Sequence, residues 1–184
     1  MTPGAFLTPE LKMRLLVWSA RLWVGMTEVG GNNRGQVVER FQRAVDGKAS
    51  GEPWCAAFAL FCVDMVDGLA AIIGGGEPSP LHRSEHVQTI WLRSPETLRL
   101  PRPQPGCMML WQHWKDGQPT QAGHIAVVAE VVDEHTVRTL EGNTGPSTGL
   151  GQGVEREGDG VYERVRSIRG AGPMRVKGFL RAWS

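Results

Sequence analysis

The chain has 184 residues, 41% of them hydrophobic and 21% charged, and a formal net charge of +1. That length suits a single domain over residues 1–184. So balanced a charge excludes the basic excess on which nucleic-acid binders depend, and no run of eighteen apolar residues is present to span a membrane. Cys55, Cys62 and Cys107 are an odd number and too few for a disulfide framework. With no C-x-x-C pair, neither a zinc ribbon nor a thioredoxin-like site is indicated, and no metal or cofactor is expected. "MTPGAFLTPELKMRLL" lacks the parts of a secretory signal. The protein is therefore expected to be made in the cytoplasm, as a monomer.

Thr8-Pro9-Glu10 predicts a helix start, with a hydroxyl cap, a proline in the first turn and a carboxylate favoured by the dipole. Leu11, Leu15, Trp18 and Leu22 follow at helical spacing and predict one buried face, the helix running to about Val24. "EVGGNNRG" breaks the pattern, and Val37, Phe41 and Val45 set a second helix over 36–45. Residues 54–73 are apolar nearly all round, with Asp64 and Asp67 the only charges, which predicts a helix buried in mid-fold. A short helix is expected over 84–92, capped by Ser84, with Trp91 inward. "RSPETLRLPRPQPG" reads as an irregular connection. After Pro105 come short β-rich runs: "CMMLWQHW", "HIAVVAEVV", "TVRTLEG", "GVYERVRSI" and "RVKGFLRAW". Helices first and strands afterwards predict an α+β fold, N-terminal helices packed on an antiparallel sheet.

Three sets of residues could carry chemistry. Pro53 fits a first helical turn, so Cys55 falls at a helix N-terminus, where the dipole and unpaired N–H groups favour a thiolate. A buried structural cysteine would read the same way. Cys62 is two turns deeper and about 10 Å away, too far for a disulfide, and reads as core. His124 is the best-placed base: it opens "HIAVVAEVV" beside Gly123, a residue small enough to admit substrate. In "LEGNT", Glu141 and Asn143 are two apart in a predicted strand and so share a face. Either can accept the second imidazole N–H and orient His124. Trp54, Trp111 and Trp114 flank this cleft in sequence, as stacking platforms for a ligand or as core.

Together these pieces, "EPWCAAF", "PGCMMLW", "GHIAVVAEV" and "TLEGNT", resemble the CHAP amidases, the cysteine, histidine-dependent peptidoglycan hydrolases related to the NlpC/P60 enzymes. With "TEVGGNNRGQVVERF", which looks like the lead-in of phage-type members, the resemblance spans about residues 20–182. It implies a papain-like fold in which Cys55 attacks a stem-peptide or muramoyl amide and His124 moves the proton. Glu141, favoured over Asn143, orients the imidazole. The Cys55 N–H would help hold the oxyanion, and Trp54, Gly123 and Trp111 would contact the substrate. Bacterial peptidoglycan is the partner so implied, reached through a holin or a secretion machine, and no separate wall-binding module is expected.

"RAVDGKASGEPWC" departs from members that carry an aspartate-rich calcium loop, having only Asp46 and Glu52. Two other classes compete. One is a non-catalytic wall-binding protein on the same fold. The other is a zinc peptidase using His82 and His86 of "HRSEH", which needs both histidines on one formed helix.

Overall fold

The computed structural model of the protein describes residues 7–74, 76–146, 153–154 and 157–184. Among these, four helices, α1 (Pro9–Arg21), α2 (Gln36–Asp46), α3 (Cys55–Ile72) and α4 (Val87–Arg93), precede or flank a sheet. Its six strands are β1 (Arg99–Leu100), β2 (Met108–Lys115), β3 (Gln118–Val131), β4 (Thr136–Thr144), β5 (Gly160–Ser167) and β6 (Met174–Leu180). They lie in the order β1-β6-β2-β3-β4-β5, every neighbouring pair antiparallel. The fold is α+β, as the order of helical and β-rich segments requires.

Thr8 caps α1 by accepting a hydrogen bond from the Leu11 N–H at 3.3 Å, and Pro9 occupies the first turn. The buried face is not the expected one. Met13, Leu16, Ser19 and Ala20 turn inward, while Leu11 and Leu22 are exposed and Trp18 is 59% exposed. Alpha1 carries two apolar stripes, and polar groups select between them. The Ser19 hydroxyl donates to the Cys62 carbonyl of α3 at 3.2 Å, and the Lys12 amine donates to the Glu77 carbonyl at 2.6 Å. These bonds require the Met13–Leu16–Ala20 side to face α3.

The third helix is the core of the molecule. Eighteen residues with a mean hydropathy of 1.9 would be long and apolar enough to cross a membrane, yet an unbroken run from Cys55 to Val63 is buried within the domain. Its two carboxylates are spoken for: Asp67 accepts from the Trp183 indole N–H (2.7 Å) and the Ser79 N–H (2.8 Å), and Asp64 pairs with Arg83 at 2.7 Å. Trp54, Phe41, Phe58, Phe61 and Trp23 form a ring cluster with centroids 5.0–5.6 Å apart, which fixes the start of α3 against α2.

Beta2 and β3 are joined by Asp116-Gly117, both at positive φ (49° and 77°), the conformation that a two-residue hairpin demands. Beta3 is longer than the sequence suggests, so His124 lies inside a 14-residue strand rather than opening one. The connection read as irregular contains β1, which closes the sheet edge beside β6. Beta4 continues through Thr144, and the remainder of the loop expected in "GNTGPSTG" lies, from residue 147, outside the described residues.

Beta4 crosses the first turn of α3 at Gly142. A Cβ there would lie 2.7 Å from the Phe58 Cβ and 2.8 Å from the Trp54 ring, so only glycine allows this approach. Gly142→Ala is expected to destabilise the fold by about 1–3 kcal/mol through overpacking. In the same denaturant titrations Leu16→Ala should cost about 2–5 kcal/mol, whereas Trp18→Ala should stay within about 0.5 kcal/mol. A Trp18 effect as large as that of Leu16 would contradict the orientation of α1.

Candidate active site

Cys55 is the first residue of α3, its N-cap the buried Trp54. The first N–H groups of a helix have no partner within it, so Cys55 stands at the positive end of the dipole. It lines a cleft of about 330 Å³ with Glu52, Glu85, His86, Gly123 and Glu157. The wall of this cleft is acidic. Glu85 is held above its ordinary pKa first by burial and then by Glu52 and Asp46.

His124 reaches the site from β3 and is fully buried. Its Nε2 is 3.0 Å from Glu141 Oε2. Nδ1 is buried without a hydrogen bond of full geometry, and Cys55 is the group that acts most strongly on this imidazole after burial. Burial alone would drive the His124 pKa down. The charge and hydrogen-bonding influence of Cys55, then that of Glu141, reverse this and raise it to about 9.

Glu141 is the hub. Burial disfavours its charge, but hydrogen bonds from Arg166 and His124, and their charges, leave its pKa well below the carboxylate range. Arg166 of β5 forms a two-pronged bridge, Nε to Oε1 and Nη2 to Oε2, each 2.7 Å. The Thr139 hydroxyl adds a bond to Oε1 at 2.5 Å. The sequence offered no sign of Arg166 or Thr139: each reaches Glu141 only through strand register, with Thr139 two residues earlier on β4 and Arg166 on the neighbouring strand.

Asn143 is buried in a left-handed conformation, φ 57°. Between Glu141 and Thr144 the β4–β5 register slips by one residue, with Glu141 opposite Tyr162 and Thr144 opposite Gly160. The two-residue repeat that would put Asn143 on the face of Glu141 is therefore broken by a bulge. Regular alternation, on which the expectation of a shared face rests, does not continue past Glu141.

The expected substrate contacts divide. Trp54 and Trp111 are 0% exposed, which corrects their reading as stacking platforms: neither offers a ring face to a ligand. Trp54 instead donates its indole N–H to Glu28 at 2.8 Å. Gly123 does line the cleft, for a reason of packing. A Cβ there would meet the Trp111 carbonyl at 2.4 Å and the Gln88 amide at 2.6 Å, the two groups that hydrogen-bond to each other across it. Trp114 lies under Arg175, and Trp91 is half-buried against Arg99. The zinc alternative is corrected as well: α4 begins only at Val87, so His82 and His86 both precede it and share no helix face. Among the described residues no group of three His, Cys, Asp or Glu side chains is placed to hold a metal ion.

A family model described as the CHAP domain matches residues 47–143, just over half of the chain. The protein belongs to the CHAP domain family. No curated protein and no solved structure matches it. CHAP domains are typically hydrolases, and membership points to a peptidoglycan amidase or peptidase. The matched stretch contains Cys55, His124 and Glu141 and ends before Arg166.

Because the His124 pKa is raised from 6.5 to about 9, the stabilisation that its charged form provides is complete below about pH 6.5 and lost as pH rises through 9. Glu141 is shifted down, so its contribution is present above the ordinary carboxylate range and lost as pH falls. Glu141→Gln removes the anion beside the imidazole and should bring the alkaline limb of the activity profile to lower pH. Asn143→Ala should lower the rate and leave that limb in place. An unchanged limb in Glu141→Gln, with activity abolished in Asn143→Ala, would exchange their roles.

Proposed function

We propose that the protein is a cysteine amidohydrolase of bacterial peptidoglycan, with Cys55 as nucleophile, His124 as general base and acid, and Glu141 as the residue that orients the imidazole. The observation that carries this is the chain of contact from Cys55, at a helix N-terminus on an open cleft, through His124 to a buried carboxylate. It is supported by the family, whose substrate is peptidoglycan.

His124 takes the proton of the Cys55 thiol, and Glu141 stabilises the resulting imidazolium. The thiolate adds to the amide carbonyl carbon, and the oxygen takes the negative charge. The Cys55 N–H, free of any helical partner, donates to that oxyanion. His124 then protonates the leaving amine as the C–N bond breaks, giving a thioester on Cys55. Water, deprotonated by His124, attacks the thioester, and the thiolate leaves. Release of the protein by a phage holin or by a secretion machine, as an endolysin or an antibacterial effector, would bring this chemistry to the wall. A wall-binding protein without turnover has no need of a histidine buried between a thiol and a carboxylate.

Cys62 and Cys107 take no part. Both are fully buried, and burial pushes both thiols up, that of Cys107 to about 12. Purified peptidoglycan incubated with the protein should release fragments whose masses identify the bond, muramoyl–alanine or one within the stem or cross-link. Cys55→Ala should lower product formation by at least about a thousandfold while remaining folded, and Cys62→Ala should retain it. Turnover by folded Cys55→Ala would refute the mechanism.

A further inference from the structure

Four side chains with complementary charges are placed in succession inside this protein: the Cys55 sulfur, the His124 imidazole, the Glu141 carboxylate and the Arg166 guanidinium. The last three are 0–3% exposed, and Cys55 is 5% exposed. Charges so far removed from water are tolerated only when each is paired. With Cys55 as thiolate and His124 as imidazolium, the row reads minus, plus, minus, plus, and sums to zero. Without Arg166 it would sum to minus one in a desolvated setting.

We propose that Arg166 is a positioning residue of the reaction: it clamps Glu141 in one orientation and balances the buried row, so that the thiolate–imidazolium pair persists at mildly acidic pH. This rests on the reading of Cys55 and His124 as the reacting pair. Both carboxylate oxygens are engaged by one planar fork, which fixes the acceptor that His124 faces, while Thr139 holds Oε1 from the side. A third guanidinium nitrogen, Nη1, donates to the Gly153 carbonyl at 3.1 Å, which restrains the fork itself. Lysine cannot reproduce that geometry, since it offers a point charge on a flexible stem.

Among the described residues, other charged groups near the row make contacts of their own. Arg164 of β5 donates to the Gly145 carbonyl, and its own carbonyl accepts from Thr139. Glu52, Glu85, His86 and Glu157 line the open cleft on the Cys55 side, where solvent screens them. Arg166 is thus the cation that directly meets the buried carboxylate, with His124 on its other side.

Removing a buried cation makes the rest of the row bind protons more tightly, and removing a buried anion does the reverse. The test is the rate of Cys55 alkylation by iodoacetamide against pH, read by mass spectrometry, which needs no peptidoglycan. Relative to the native protein, the acid-side inflection should rise by about one unit in Arg166→Gln and fall in Glu141→Gln. In the double variant, which removes the cation and the anion together, it should return to within about half a unit of the native value. Arg166→Lys should keep the inflection while losing peptidoglycan turnover, because the charge remains and the fork does not. A folded Arg166→Gln with an unmoved inflection would overturn the proposal. So would a double variant that keeps the Glu141→Gln inflection. A native profile with no inflection on the acid side would instead refute the Cys55–His124 pair itself.

Discussion

The site depends on how closely β4 can lie against the first turn of α3. At Gly142 the strand meets Phe58 and Trp54 with no space for even a methyl group. That contact brings a residue of β4 within reach of the helix terminus on which Cys55 sits. The aromatic cluster behind it is equally consequential, because Trp54 is at once the helix cap, a core residue and the neighbour of the reactive position. Backbone closeness on one side and ring packing on the other leave the thiol little freedom. Helix dipole and cleft opening then act on a sulfur whose position is already determined.

Burying ionisable groups is costly unless each finds a partner. This protein places its imidazole and carboxylate in the interior, and pairing across three adjacent strands offsets the cost. Beta3 supplies His124, β4 supplies Glu141 and Thr139, and β5 supplies Arg166. The antiparallel register of the sheet thus also sets which of these buried groups meet. A slip of one residue between β4 and β5 would detach the guanidinium fork. The bulge after Glu141 confines such a slip to the end of the strand, beyond the residues that matter most.

Much of this was legible in the order of residues. Periodicity and turn composition located the helices and strands, and Trp-Cys, Gly-His and Glu-Gly-Asn marked the residues that the fold gathers. What escaped has physical reasons. Alpha1 bears two apolar stripes, and hydrophobic spacing cannot tell which is buried when a serine hydroxyl and a lysine amine decide it. Period-two alternation does not extend to Asn143, because a bulge is a property of two paired strands and leaves no mark in one of them. Tryptophans beside a cleft in sequence lie beneath it in space. Arg166, in a run rich in charge, looks like any solvent-facing strand residue until the partner strand is known.

The distribution of sulfur has a consequence for chemical durability. Cys62 and Cys107 are sealed in the core and held as thiols, while Cys55 alone meets the cleft. Oxidants in the surrounding medium would therefore act at one position. Cys62, two helical turns below, is about 10 Å distant and out of disulfide range, so it cannot trap a sulfenic acid formed on Cys55. A small thiol that enters through the cleft can reverse damage of that kind. The exposure of this sulfur to oxidants is thus governed by the opening of one cleft.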